Sequence, residues 1–269
     1  MQMERRKFLL QALVSGCAWL LAGCAAVAPP VDATVRQTLA PTGTLRVGVY
    51  PGSPTSMVRN PLTGEKAGVA WSLGLSLGQR LGVPVQVVEF ERVAQVVEAV
   101  KSGAVDFTFT NASESRIRDL DFTPPLLTLE LGYLLPVNSP ITEMDAMDRP
   151  GRRVGVSQGS SSQAALPRLY KNPVVLVPAG SLKQAQDMLR RGEIEAFATN
   201  KAILFQLQDD LPGFKVLPGH WGLEHVAIAI PKGREAAMPF LLQFAQDVQT
   251  SGLLASFAAH AGLRGIQQR

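Results

Sequence analysis

Cysteine is nearly absent from this sequence of 269 residues, which contains only Cys17 and Cys24. Because both lie in the first 24 residues, the rest of the chain can form neither an internal disulfide nor a cysteine-ligated metal site. Aromatic residues make up 6% and charged residues 18% of the chain, and lysine and arginine form no basic stripe, which argues against a nucleic-acid partner. No apolar run reaches the ~20 residues of a membrane-spanning helix. We expect a globular domain without a metal or a cofactor.

The first 23 residues have the order of an export signal, in which basic residues precede an apolar run and then small residues. The run ends in Leu21-Ala22-Gly23-Cys24, which resembles the cleavage motif of bacterial lipoproteins. We therefore predict a signal peptide over 1–23, lipidation of Cys24, a tether over 24–42, and a periplasmic or extracytoplasmic protein anchored to a membrane. An ordinary signal peptide is the alternative, and Arg5-Arg6 leaves twin-arginine export open.

From residue 44 onward, short apolar segments alternate with segments of helical period. Residues 44–50, 84–90 and 105–110 are typical of strands. Between them, leucines recur four apart at 73, 77 and 81, and valines at 93, 96, 97 and 100 follow the stripe of an amphipathic helix. This alternation predicts an α/β fold with a mostly parallel sheet.

The pattern then recurs along the chain. TLRVGVYPGS from Thr44 is matched by RRVGVSQGSS from Arg152, and SGAVDFTFTN ending at Asn111 is matched by RGEIEAFATN ending at Asn200. We infer two similar lobes, with lobe 1 over 43–137, lobe 2 over 138–222, and a return to lobe 1 with C-terminal helices over 223–269. The carboxyl ends of the strands would face one cleft, and two crossings would form a hinge.

In this order, the segments resemble the extracellular solute-binding proteins of ABC importers, specifically the amino-acid-type family 3, over about residues 43–265. The resemblance implies a type II periplasmic-binding-protein fold, with two Rossmann-like lobes joined by a hinge of two crossings. It also implies that the lobes close on a small-molecule ligand and present it to an ABC permease in the inner membrane. We expect a monomer.

The same resemblance implies that Arg116 binds the carboxylate of the ligand. A guanidinium suits this task because its planar fork makes two parallel charge-assisted bonds. The alternatives are a surface Arg116 paired with Glu114 or Asp119, and Arg118 in its place. The serines at the start of lobe 2 could bind the same carboxylate or only cap a helix. The other predicted ligand-binding residues are Thr110, Asn111, Ser113, Ser160, Ser161, Asn200, Tyr50 and Trp71.

Asn200 departs from the family pattern, because members that bind α-amino acids usually have an aspartate there to pair with the ligand ammonium. We therefore expect a polar or anionic solute rather than an ordinary α-amino acid. A dehydratase-like enzyme, an alternative within this fold, would need an acid/base carboxylate in the cleft. Asp106 and Glu195 lie in predicted strands and Glu224 at the second crossing, so we assign them structural roles and predict no catalysis. A regulatory or sensory lipoprotein of the same fold remains open.

Overall fold

The structure is a computed structural model that describes residues 31–267. The predicted signal peptide and the predicted lipidation site at Cys24 lie outside the described residues. None of the helices described here combines the length and apolarity needed to cross a bilayer.

Within residues 31–267 the chain forms twelve strands and nine α-helices. The strands are β1 (Leu45–Val49), β2 (Val58–Arg59), β3 (Lys66–Ala67), β4 (Val85–Glu89), β5 (Thr108–Asn111), β6 (Leu120–Phe122), β7 (Leu127–Pro136), β8 (Arg153–Ser157), β9 (Val175–Ala179), β10 (Ala196–Asn200), β11 (Phe214–Val216) and β12 (Gly222–Pro231). The helices are α1 (Ala33–Leu39), α2 (Val69–Leu81), α3 (Val93–Lys101), α4 (Glu114–Asp119), α5 (Ser161–Leu169), α6 (Leu182–Arg190), α7 (Lys201–Asp210), α8 (Met238–Thr250) and α9 (Leu253–His260).

The two sequence repeats fold with the same topology. In the first repeat β1 pairs in parallel with β4, and a parallel bridge joins Val47 to Phe107, just before β5. In the second repeat β8 pairs in parallel with both β9 and β10. Each repeat therefore places its first strand in the centre, with the second and third strands on either side.

The sheet as a whole is mixed, so the prediction of a mostly parallel sheet is wrong. The long strands β7 and β12 run antiparallel to each other. β12 also runs antiparallel to β5, and β7 runs antiparallel to β10. The prediction counted only strand–helix–strand units, which produce parallel neighbours. β7 and β12 belong to no such unit, because β7 connects the two repeats and β12 follows the second one.

Side chains on opposite faces of the strands build separate apolar cores. We call lobe 1 the elements that pack on the cluster of Leu45, Leu73, Phe107 and Phe244. Lobe 2 comprises the elements on the two clusters that contain Phe197 and Leu204, or Val154 and Leu166. The C-terminal helices α8 and α9 pack on lobe 1.

Two strands carry the chain between the lobes. In β7, Leu129 belongs to the lobe 1 core and Leu134 to the lobe 2 core. β12 returns the chain to lobe 1, where Ile228 is fully buried. The exact lobe boundaries at residues 138 and 222 stay predictions.

Part of the predicted tether is helical. α1 begins after Asp32, whose side chain accepts a hydrogen bond of 2.6 Å from the backbone N–H of Thr34. Val31, Val35 and Leu39 recur at helical spacing, and Leu39 is fully buried in the lobe 1 core. This apolar spacing was present in the sequence, but the prediction gave more weight to the small residues and paired prolines before it.

Candidate functional site

A small cavity lies where lobe 1 meets lobe 2. Its volume is about 30 Å³, enough for one or two water molecules. Several of the residues that line it stand at the carboxyl ends of β1, β5, β8 and β10. Ligands bind at this end of the strands in parallel α/β sheets. The cavity is lined by Tyr50, Thr55, Val93, Phe109, Thr110, Asn111, Arg116, Ser157, Ser160, Ser161, Thr199, Asn200, Ile203, Glu224 and Val226.

Arg116 contributes a buried positive charge to this cavity. Its side chain lies on α4, and the residue is only 7% exposed. Nη1 donates to Thr110 Oγ1 at 2.8 Å and to the Asn111 carbonyl at 3.4 Å. Burial lowers the pKa of the guanidinium, while the charge of Glu224 raises it. Among the described residues, no carboxylate oxygen lies within 4.0 Å of the guanidinium, so the cation has only neutral hydrogen-bond partners.

The alternatives for Arg116 do not match the structure. Glu114 is exposed and forms no ion pair with Arg116 among the described residues. Asp119 instead pairs with Lys101 at 3.0 Å. Arg118 is exposed, so the predicted competitor lies outside the cavity.

Glu224 contributes a buried negative charge that sequence reasoning missed. The residue is 7% exposed, and its side chain leaves β12 toward lobe 2. Oε1 accepts a hydrogen bond of 2.6 Å from Ser161 Oγ, and Oε2 accepts one of 2.9 Å from Asn200 Nδ2. A structural role at the crossing was predicted for Glu224, yet its carboxylate lines the cavity. The sequence did contain a signal for this position: Glu224 is an acidic residue two positions before Val226, on the buried face of an apolar strand.

Three predicted ligand-binding residues also hold the local backbone. Ser160 caps α5, because its Oγ accepts from the Gln163 N–H at 3.2 Å. Asn200 Oδ1 caps α7 through the Ile203 N–H at 3.1 Å. Asn111 Oδ1 accepts from the N–H of His225 at 3.1 Å. The two asparagines that end the sequence repeats therefore both contact the start of β12, one at Glu224 and the other at His225.

Tyr50 reaches from lobe 1 across to lobe 2. It lines the cavity and packs against the lobe 2 core that contains Phe197. Burial raises the pKa of the Tyr50 phenol to about 12, so the side chain stays uncharged at neutral pH. Tyr50 therefore contributes a neutral wall to the site.

Ser113 and Trp71 lie outside the cavity. Ser113 lines a neighbouring open pocket together with Arg116, Ser160 and Ser161, which places it at the mouth of the cleft. Trp71 packs against the lobe 1 core, with Lys66 Nζ 5.0 Å from its ring centroid. Trp71 stands early in α2, which packs along β1 rather than facing lobe 2.

Two equivalent glycines lie where the lobes touch. Gly52 and Gly159 each stand three residues after the Val-Gly-Val of their repeat, and both have a positive φ. A Cβ on Gly52 would lie 3.1 Å from Leu182 Cδ1 of the other lobe, and one on Gly159 would lie 2.6 Å from Ala94 Cβ. The two contacts are alike: in each repeat, the turn after the first strand packs on the start of the second helix of the other repeat. The described conformation therefore has its lobes in close contact.

Solved structures with a similar fold include solute receptors and amino-acid-binding proteins. A solute receptor for L-cysteine from Neisseria gonorrhoeae is 25% identical, with a TM-score of 0.74 over 85% of this chain and 92% of that one. A mutant of ArgBP from T. maritima is 18% identical, with a TM-score of 0.74 over 83% and 96% of the two chains. The ancestral amino-acid-binding protein AncCDT-1, a precursor of cyclohexadienyl dehydratase, is 20% identical, with a TM-score of 0.70 over 84% and 98%.

The sequence itself gives a family match. A comparison with curated protein sequences finds no match. A profile of the bacterial extracellular solute-binding proteins, family 3, matches residues 45–260, which is most of the chain. The fold agrees with this match, because the mixed α/β architecture is that of type II periplasmic-binding proteins. This chain therefore belongs to the bacterial extracellular solute-binding proteins of family 3.

Proposed function

We propose that this protein binds a small solute by its carboxylate in the interlobe cavity and delivers it to an ABC permease. The observation that carries the proposal is Arg116, a cation buried at the cavity that has no carboxylate oxygen within 4.0 Å in residues 31–267. Burying an unpaired charge is costly, and a ligand carboxylate would offset this cost with two parallel hydrogen bonds. Ser160 and Ser161 at the start of the nine-residue helix α5 would supply further donors.

Binding requires the lobes to separate. A cavity of about 30 Å³ holds water but not an organic solute, so the ligand would enter an open form and be enclosed on closure. β7 and β12 are the two connections about which such a movement would occur. The closed form would be the one that the permease recognises.

Export and anchoring complete the proposal. The signal over 1–23 would carry the chain across the inner membrane, and a lipid on Cys24 would hold a monomeric receptor at the membrane surface. The mass of the mature N-terminus checks this point, since diacylglycerol on Cys24 adds a lipid-sized increment that an ordinary signal peptide would not leave.

A thermal-shift screen tests the binding function. A solute at about 1,000 times its Kd adds ~4 kcal/mol to the free energy of unfolding, which raises the Tm of a domain of this size by roughly 8–16 °C. We expect such a shift with one class of small carboxylate-bearing solute. No shift with amino acids, hydroxy acids, keto acids or dicarboxylates, from protein that unfolds cooperatively, would contradict the proposal and favour the regulatory alternative.

We expect Ala94→Leu to weaken binding of the solute that gives the largest shift. A leucine suits the helix, but its side chain would fill the space against Gly159 that the closed form needs. Overpacking costs ~1–3 kcal/mol, which corresponds to roughly 5- to 150-fold in affinity, measured by titration calorimetry. Glu98→Leu, at an exposed position of the same helix, is the matched control. Equal affinities in the two variants would show that closure does not use this contact.

A further inference from the structure

The C-terminal segment contacts both lobes. Leu263, three residues after the end of α9, packs against the lobe 1 core. The next residue, Arg264, pairs with Asp209 on α7 of lobe 2. We call residues 263–267 the C-terminal strap. Within residues 31–267, the strap therefore joins the two lobes by non-covalent contacts, in addition to the chain connections β7 and β12.

The strap pairs with β7 at the point where this strand leaves lobe 1. Residues 265–267 bond to residues 128–130 through backbone hydrogen bonds of 3.0 and 2.9 Å, with an antiparallel bridge between Leu129 and Ile266. β12 pairs with the same residues on one edge of β7. The strap therefore lies on the other edge, which β10 occupies from Leu131 onward.

On lobe 2 the strap contacts one face of α7. Lys201, Phe205 and Asp209 recur four apart and so form one row along this helix. Arg264 Nη1 donates to Asp209 Oδ1 at 3.3 Å, Nη2 donates to Oδ2, and the guanidinium carbon lies 5.0 Å from the centroid of the Phe205 ring. Gly265 has a positive φ, and a Cβ on it would lie 2.5 Å from Lys201 Cβ. The strap and the start of α7 are therefore in direct contact.

The start of α7 connects the strap with the hinge and with the cavity. Lys201 Nζ binds Glu130 Oε2 on β7 at 2.5 Å. The preceding residue, Asn200, caps α7 and donates to Glu224 in the cavity. A movement of α7 relative to the strap therefore also moves residues that line the cavity.

Separating the lobes changes the contact of Arg264 with α7. This helix belongs to lobe 2, whereas the strap is bonded to the lobe 1 part of β7 and continues from α9. Asp209 lies eight residues after Lys201, which is about 12 Å further along the helix, and Lys201 itself binds the hinge strand. A rotation of lobe 2 about the hinge displaces Asp209 more than Lys201. The pair of Arg264 with Asp209 therefore depends on the closed arrangement of the lobes.

We propose that the C-terminal strap stabilises the closed form of the protein, with Arg264 as its contact to lobe 2. This inference rests on the proposed function, which requires an open and a closed form. The strap would raise the fraction of closed protein without contacting a ligand. Because a ligand enclosed between the lobes binds more tightly when the closed form is more populated, residues outside the cavity would then set part of the affinity.

The contact is strong enough to shift this equilibrium but too weak to lock it. The side chains of Arg264 and Asp209 are 45% and 54% exposed, and solvent screens an exposed ion pair. The two parallel hydrogen bonds and the Phe205 ring under the guanidinium add to it. We expect contacts of this kind to change the ratio of open to closed protein by roughly 3- to 10-fold.

The test measures the distance between the lobes without any ligand. Residues 31–269 contain no cysteine, and the chain from Val31 to Arg269 forms one compact unit. Glu114→Cys on α4 and Arg168→Cys on α5 therefore place one exposed spin label on each side of the cleft mouth. Double electron–electron resonance between the labels gives the fractions of open and closed protein. We expect Arg264→Ala to raise the open-to-closed ratio by roughly 3- to 10-fold.

Two further variants separate the strap contact from a general loss of charge. Asp209→Asn should shift the ratio in the same direction, and combining it with Arg264→Ala should add little, because both changes break one contact. Arg191→Ala is the matched control. Arg191 pairs with Glu193 at 2.6 Å at similar exposure, but both residues lie in lobe 2, so this variant should leave the ratio unchanged.

Two results would overturn the inference. If Arg264→Ala and the unmodified protein show the same distance distribution, the strap does not stabilise the closed form. If Arg191→Ala shifts the distribution as much as Arg264→Ala, the loss of positive charge is responsible rather than the contact with α7. Neither result depends on a ligand, so the thermal-shift screen tests the proposed function separately. A flat screen together with a shifted distribution would remove the proposed function and leave the effect of the strap.

Discussion

Arg116→Ala should lower affinity for the solute by roughly 30- to 5,000-fold. Removing one partner of a buried, hydrogen-bonded charge pair costs about 2–5 kcal/mol, and each 1.4 kcal/mol is a factor of ten in Kd. The effect should be large because Arg116 is buried and, among the described residues, has no carboxylate oxygen within 4.0 Å. Titration calorimetry with the solute found in the thermal-shift screen measures it.

The fold should survive this change. In the described part of the chain, Arg116 donates only to neutral groups, Thr110 and the Asn111 carbonyl, so its removal leaves no carboxylate there without an ion-pair partner. Arg116→Met keeps most of the volume and should keep or raise the Tm while binding remains lost. Arg118→Ala, two residues further on the same helix and exposed, is the matched control. Retained affinity in Arg116→Met would remove the observation on which the proposed function depends.

Asp106→Ala should destabilise the protein by about 3–5 kcal/mol, because it breaks a buried ion cluster. The Asp106 side chain is fully buried. It accepts from Arg46 Nε at 2.8 Å and Arg46 Nη2 at 2.7 Å, and from Arg234 Nη2 at 2.9 Å. The cluster ties β1 to the segment between α3 and β5 and to the segment before α8. Its loss leaves two partly buried guanidinium groups without a carboxylate.

The second repeat contains a matched control for Asp106. Glu195 stands at the Asp106 position of the second repeat and pairs with Arg152 at 3.0 Å, but the Glu195 side chain is 38% exposed. Glu195→Ala should therefore cost about 1 kcal/mol or less, because solvent screens an exposed pair. Urea unfolding followed by circular dichroism measures both variants. Equal losses of stability in the two variants would mean that burial of the carboxylate does not determine how much each contact stabilises the protein.

The internal repeat could be predicted because each copy encodes its topology locally. The same order of strand, turn and helix signals around Gly52 and Gly159 leads to the same parallel arrangement in both lobes. At the start of α6, Ser181 Oγ accepts from the Gln184 N–H at 3.1 Å, a helix cap formed by residues only three apart in the sequence. Signals of this kind depend on residues that are close in sequence, so they can be recognised without knowing how the rest of the chain folds.

The site could be predicted only in part. Arg116, Thr110, Asn111, Ser160, Ser161, Asn200 and Tyr50 were singled out, and all of them line the cavity. Trp71 was also chosen, but it packs on lobe 1, because which side of α2 faces the cleft depends on how the helix docks. α1 was assigned to a tether, since its burial depends on a core built mostly by later segments.

By itself, the sequence determined the two α/β repeats, the family resemblance and a candidate carboxylate-binding arginine, since local patterns and motif order carry that information. Only the tertiary structure decided that Glu224 shares the cavity with Arg116. The two residues are far apart in sequence, and they meet because β12 runs antiparallel beside β5. Strand pairing between distant segments decides which side chains line the same cavity. A local sequence pattern does not contain this information.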